Sequence, residues 1–276
     1  MTADSKTSST PELRIAVVTP TRLQRIGGTD DGELFVERAM RSALAQVCEQ
    51  TVKITFVVGV DAGADVPASL SSRADTVIAH SEGRSQILAL NAALKMVGPE
   101  FHFVTFLEDD DRWQPNYLTW VFAALTQYDF VSSTQLEVDE NDQIIRINDF
   151  PTPSGWIMPY STLNRVGHVD VRSKWHYDNE WLGRLAECGL SRCHLVEVTA
   201  PVTLATSHQS RPWIANVIRN GGPRIAVQRH PSTVPLVIRQ MHSGSGSTAV
   251  ATNNIAQLES KNEYAALVER YGRIPW

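Results

Sequence analysis

Four consecutive carboxylates, Glu108-Asp109-Asp110-Asp111, stand directly after the apolar run His102-Phe-Val-Thr-Phe-Leu107. Carboxylates crowded this closely repel one another unless something positive holds them. A hard divalent cation such as Mg²⁺ or Mn²⁺ suits their oxygens and can bridge to substrate phosphates. The competing reading is a solvated acidic turn that N-caps the next helix. Two further loops carry related groups. Asp61 follows the apolar run Lys53 to Val60, and Thr19-Pro20-Thr21-Arg22 closes the run that starts at Arg14. In an open α/β sheet, ligands bind beyond the carboxyl ends of the strands, so three such loops would line one crevice. Taken singly, Asp61 in Asp-Ala-Gly-Ala-Asp is equally a turn residue.

For these loops to meet, the runs before them must be neighbouring parallel strands. The pattern predicts strands over Arg14–Thr19, ended by Pro20, then Lys53–Val60, Thr76–Ala79 and His102–Leu107. Helical periodicity predicts helices over Glu33–Val47, Ser85–Val97 and from Pro115 to about Gln127. Strands apolar on both faces and alternating with helices imply an α/β, Rossmann-like, mainly parallel sheet flanked by helices. The pattern then changes. Phe130–Val138 and Gln143–Asn148 read as strands around the turn-former Asn141-Asp142. Asp178–Cys188 reads as a helix closed by Gly189, and Leu195–Leu204 as β-like. His242-Ser-Gly-Ser-Gly-Ser-Thr is a loop, and Asn254–Tyr271 a closing amphipathic helix. The expected organisation is a polar tail over residues 1–12 and one domain over 13–247. That domain has a parallel α/β half (13–128) and a smaller mixed β half (129–247). A helical extension over 248–276 follows.

The chain has 276 residues, 25 Lys and Arg against 30 Asp and Glu, a formal charge of −5, and 42% hydrophobic residues. That balance excludes a disordered or fibrous chain and argues against a nucleic-acid binder. No apolar run reaches the roughly 18 residues of a membrane span. The N-terminus lacks the apolar middle of a secretory signal, and three scattered cysteines form no disulfide framework. The expectation is a cytoplasmic protein, free or lying on the inner face of the membrane. Charge is uneven. Val198 to Leu258 holds no Asp or Glu, but carries Arg211, Arg219, Arg224, Arg229, Arg239, His208, His230 and His242. Such a segment in an acidic chain suits an anionic partner such as a diphosphate, though arginines on solvated faces would look the same.

Together these motifs resemble the nucleotide-sugar-dependent glycosyltransferases of family two, with the GT-A fold, over roughly Arg14 to Ser247. Thr19-Pro20-Thr21-Arg22 looks like the loop beside the nucleobase. Ser42-Ala-Leu-Ala-Gln46 matches the first helix, and Asp61 the aspartate at the uracil or ribose. Glu82-Gly83-Arg84 with Asn91-Ala-Ala-Leu94 matches the glycine loop and the asparagine-bearing helix. Phe106-Leu-Glu108-Asp109-Asp110 resembles the Asp-x-Asp segment. Val166-Gly-His-Val-Asp170 is similar to the segment before the acceptor site. Tyr177-Asp178-Asn-Glu180-Trp-Leu-Gly-Arg184 resembles the Glu-Asp motif, and Arg239-Gln-Met-His242 the late histidine at the diphosphate. Three positions depart from the pattern. Glu108 stands where Asp is usual, Tyr177 replaces the acid before Asp178, and Asp61-Ala-Gly replaces Asp-Gly-Ser.

The resemblance implies an inverting glycosyltransferase that moves a sugar from a nucleoside-diphosphate donor, UDP-sugar by default, to a hydroxyl acceptor. The acceptor would be a saccharide, a lipid-linked glycan or a small molecule. It implies Mn²⁺ or Mg²⁺ on Asp110 with His242, and Glu108 and Asp109 on the metal's water or the ribose. Arg211, Arg224 or Arg239 would meet the diphosphate, and Asp178 would be the base, with Glu180 and His176 as substitutes. Plain N-capping is the alternative for Asp178. Trp113, Trp156, Trp175 and Trp181 offer either an acceptor-stacking surface or core. A homodimer through the C-terminal helix stays open. The rival functions are a sugar-phosphate nucleotidyltransferase and a nucleotide-sugar-binding module without turnover.

Overall fold

Strand β1 (Leu13–Thr21) sends alternate side chains into two apolar layers. Ile15 and Val17 enter one, Ala16 and Val18 the other, and all four are fully buried. A strand apolar on both faces must be covered on both. Helices α1 (Phe35–Leu44) and α4 (Tyr117–Leu125) cover the Ile15 side. Helices α3 (Gln86–Leu94), α5 (Tyr160–Val166) and α6 (Tyr177–Glu187) cover the other. The short α2 (Ala68–Ser71) and the long α7 (Asn254–Tyr271) complete the helices among the described residues. The computed structural model describes residues 12–29, 31–198, 225–244, 250 and 252–272.

The main sheet has eight strands. β1 pairs in parallel with β2 (Val52–Val60) on one side and β4 (Phe103–Phe106) on the other, and β3 (Thr76–His80) extends from β2. Beyond β4 lies β9 (Ile157–Pro159), antiparallel to it and to β6 (Phe130–Ser133). β10 (Arg192–Glu197) and β11 (Ile225–His230) then continue in parallel. A second, four-stranded mixed sheet runs in the order β5 (Arg112–Trp113), β12 (Val237–Gln240), β7 (Gln135–Val138) and β8 (Ile144–Asn148). The expected α/β architecture, with a mainly parallel sheet and a smaller mixed one, is therefore present.

Several boundaries differ from expectation for physical reasons. β1 runs through Pro20 to Thr21, because its pairing with β4 stops at Val18 and the missing N–H of Pro20 leaves the pairing with β2 intact. The single strand expected over Phe130–Val138 is two strands broken at Thr134, and each joins a different sheet. The β-like stretch expected at Leu195 to Leu204 is β10, which begins earlier and ends at Glu197; its far end lies outside the described residues. The same holds for the N-terminal tail through residue 11, the Gly/Ser loop beyond Gly244, and His208, Arg211, Arg219 and Arg224. Helix α3 crosses β2 at Gly59, where a Cβ would stand 2.0 Å from the carbonyl oxygen of Ala89. Only glycine permits that approach, which sets the start of α3 beside the strand ends.

Candidate active site

The parallel register brings the expected loops to one edge. Thr21 pairs with Val60, Val60 with His80, and Val18 with Phe106. Thr21, Asp61, the Ser81–Arg84 turn and the acidic run therefore leave the sheet side by side. The Asp61 and Gly83 loops are tied together, since the N–H of Ala62 donates to the Gly83 carbonyl at 3.0 Å. Arg22 and Arg84 stand exposed on the rim.

The four carboxylates do not cap a helix. α4 starts at Tyr117 behind Asn116, which makes no side-chain cap. Each carboxylate has its own partners instead. Asp109 Oδ2 accepts from the Thr21 hydroxyl at 2.6 Å. Glu108 Oε1 accepts from Gln86 Nε2 at 2.8 Å and from the Tyr177 hydroxyl at 3.1 Å. Asp110 Oδ2 lies 3.0 Å from His242 Nε2. Asp111 is buried and accepts from the backbone N–H of Gln240 at 3.1 Å, which fastens the run to β12. The buried Ser154 hydroxyl receives the N–H of Glu108 at 3.0 Å.

Electrostatics matches this crowding. Burial, then the charge of Asp110, pushes Asp109 up to about 7. The same two causes raise Glu108, with Asp178 adding to them, and raise Asp111 well above the usual carboxylate range. The hydrogen bond to Asp110 raises the pKa of His242. Arg239 is a permanent cation close to the run. Burial disfavours its charge, but Glu108, Asp111, Glu137 and Asp110 outweigh that and raise its pKa further. Its Nη1 lies 3.2 Å from Glu137, so it is a counter-charge shared among acids.

Asp178 sits in the first turn of α6, next to Tyr177, whose hydroxyl reaches Glu108. The helix thereby joins the acidic run to a residue seventy positions away. Burial raises the pKa of Asp178, while the N–H of Asn179, His176 and Arg239 oppose that rise. Glu180 does not share the site. Two residues on, it points about 200° round the helix, is 2% exposed, and is held by Arg184 Nε at 2.8 Å. His176 is engaged elsewhere too, its Nε2 lying 2.9 Å from the Ser260 hydroxyl. Neither expected substitute for the base stands free for that role.

Asn91 is 9% exposed, and its amide is spent on backbone. Nδ2 donates to the Val169 carbonyl at 2.8 Å, and Oδ1 accepts the Val169 N–H at 3.0 Å. It braces α3 against the segment leading to α6 rather than facing the crevice. Trp113, Trp156 and Trp181 are core residues, each at most 3% exposed, which leaves Trp175 half-buried. Supports that sequence reasoning missed are Phe35, stacked on His242 at 5.2 Å, and Arg38, whose Nη2 donates to the Asp110 carbonyl at 3.0 Å. Gln86 and Ser154 were missed as well. Phe35 is indistinguishable in sequence from a core residue of α1, and Ser154 from an ordinary turn serine.

The pair Asp110 Oδ2 and His242 Nε2 offers one hard oxygen and one imidazole nitrogen at a spacing that fits a shared divalent cation. Among the described residues, no group of three or more His, Cys, Asp or Glu forms a complete metal cage.

No family model matches the sequence, and no curated protein matches it. Among solved structures, the chain is similar to S. aureus TarS, with a TM-score of 0.51 and 14% identity, over 93% of this chain and 42% of that one. It therefore spans less than half the length of that chain. It is also similar to TarS 1–349, solved alone and in complex with UDP, at a TM-score of 0.50 and 13% identity, over 93% of this chain and 70% of those. The shared fold is the GT-A fold. Among the described residues, no helix is long and apolar enough to cross a membrane.

Proposed function

We propose that the chain is an inverting glycosyltransferase that moves a sugar from a UDP-sugar to a hydroxyl acceptor, with Asp178 as the base. One observation carries this reading: the first turn of α6 brings a half-buried carboxylate of raised pKa towards the acidic run at the strand ends, where its neighbour Tyr177 bonds Glu108. A carboxylate whose proton affinity burial has raised is a better proton acceptor than a solvated one. S. aureus TarS, which has the same fold, has been solved with UDP, and that supports uracil as the nucleobase.

The roles follow from the placement. Thr19, Pro20, Thr21, Arg22 and Asp61 would flank the nucleoside, and Gly83 and Arg84 the rim beside it. Asp109 and Glu108, held by Thr21, Gln86 and Tyr177, would accept from ribose or sugar hydroxyls while protonated or ionised as the ligand requires. Asp110 and His242 would hold Mn²⁺ or Mg²⁺, which neutralises charge on a departing diphosphate. Asp178 would take the acceptor's proton as its oxygen attacks the anomeric carbon, on the face opposite the departing UDP.

The test is UDP release from a panel of UDP-sugars with Mn²⁺ and candidate hydroxyl acceptors. Asp178→Asn is expected to lower turnover by about 10² to 10⁴, with UDP affinity, read by calorimetry, unchanged. Wild-type turnover by that variant would remove Asp178 from the role. Pyrophosphate release from UTP and a sugar phosphate would point to the nucleotidyltransferase instead. UDP-sugar binding without turnover on any acceptor would point to a binding module.

A further inference from the structure

We infer that helix α7 sets the position of Asp178, with Glu263 and Ser260 as positioning residues; this rests on Asp178 being the base. Helix α6 begins at Tyr177, and its N-cap residue His176 makes no side-chain cap. The turn entering the helix finds its acceptor on another element. Glu263 of α7 takes the backbone N–H of His176 on Oε1 at 2.7 Å, and that of Trp175 on Oε2 at 3.0 Å. A carboxylate there both satisfies donors that the helix leaves open and complements its positive end.

A second route runs through side chains. His176 Nδ1 lies 3.2 Å from Asn179 Nδ2, and on the other side of the ring its Nε2 lies 2.9 Å from the Ser260 hydroxyl. The Tyr264 ring meets the His176 ring edge-on at 5.6 Å between centroids. At the other end, Asn179 donates its backbone N–H to Asp178 Oδ1 at 2.8 Å. One contiguous set of contacts therefore links Ser260 and Tyr264 of α7, through His176 and Asn179, to the carboxylate of Asp178.

The helices are also matched farther along. A Cβ on Gly183 of α6 would stand 2.5 Å from the Tyr271 ring of α7, so the glycine is what lets the ring seat there. Arg270 pairs with Glu187 at 3.2 Å. A carboxylate that must meet an acceptor oxygen depends on such bracing, since a misplacement of about 1 Å can lower a rate by about a hundredfold.

The test uses the full chain with Glu263→Ala, Glu263→Gln, Ser260→Ala and, as control, Lys174→Ala, which removes the exposed ion pair to Glu259. Glu263→Ala is expected to lower turnover by about tenfold or more, with UDP affinity within about twofold of wild type. Glu263→Gln keeps one acceptor oxygen, which the His176 and Trp175 N–H groups can share as they do Oε1 at 2.7 and 3.2 Å, and should restore most of the rate; Lys174→Ala should change nothing. A second readout needs no donor. In ¹³C-carboxyl NMR, the Asp178 signal, assigned by its loss in Asp178→Asn, should shift and titrate differently in Glu263→Ala and return in Glu263→Gln. An unmoved Asp178 signal in Glu263→Ala overturns the inference. Equal losses of UDP affinity and turnover that Gln does not repair overturn it too. Full turnover by Asp178→Asn would instead sink the base assignment itself.

Discussion

At the scale of single residues, the acidic run divides its labour. Asp111 turns inward to the backbone of β12, Asp109 is anchored on Thr21, Glu108 is bracketed by Gln86 and Tyr177, and Asp110 faces His242. Tyr177, a departure from the family pattern in sequence, replaces a charge with a hydrogen bond to Glu108 and so avoids one more buried negative charge. His230 illustrates the opposite problem. Its ring is 2% exposed, with neither nitrogen hydrogen-bonded among the described residues, and burial pushes its pKa down to about 4 from an ordinary 6.5. The unfolded chain takes up that proton first. Stability associated with this ring is therefore complete above about pH 6.5 and declines as pH falls towards 4, by on the order of 3 kcal/mol at most. Urea midpoints over this range should show the decline in wild type and a shallower one in His230→Leu. Equal slopes would mean the ring is not buried in neutral form.

At the scale of elements, the site depends on how closely helices approach the sheet edge. Gly59 lets α3 lie against β2, which places Gln86 at Glu108 and the Gly83 turn beside Asp61. Gly59→Ala would drive a methyl into the backbone of Ala89, and backbone cannot swing aside as a side-chain tip can. The expected cost is about 3 kcal/mol, with a lower thermal midpoint and weaker UDP binding; an unchanged midpoint would show that α3 moves freely. Periodicity in the sequence reveals helix α3 and strand β2 separately. It carries no signal for their distance, because a glycine among valines reads only as a weak strand residue. The break of the Phe130–Val138 run at Thr134 was hidden likewise, since both halves have β-forming sequences and only pairing partners separate them.

At the scale of the whole molecule, two sheets and the C-terminal helix converge on one edge. The small mixed sheet brings Arg239 and the chain leading to His242, the main sheet brings the carboxylates, and α7 backs the helix that carries Asp178. Net negative charge concentrated there predicts a strong requirement for a divalent cation when a diphosphate arrives. UDP affinity by calorimetry should fall after EDTA and return with Mn²⁺. Asp110→Asn should weaken that Mn²⁺ response. Unchanged UDP affinity in EDTA would exclude the cation from donor binding.

The sequence by itself determined the parallel strands, the loops at their carboxyl ends and the acidic run after Leu107, because each shows locally as a short apolar run bounded by polar residues. It also carried Asp178 as a candidate. Only the tertiary structure decided that Glu180 is held away by Arg184, that Asn91 is spent on the Val169 backbone, and that Glu263 stands over the turn into α6. These are contacts between residues far apart in the chain or on opposite faces of one helix. Packing chooses among such partners, and no local pattern encodes that choice.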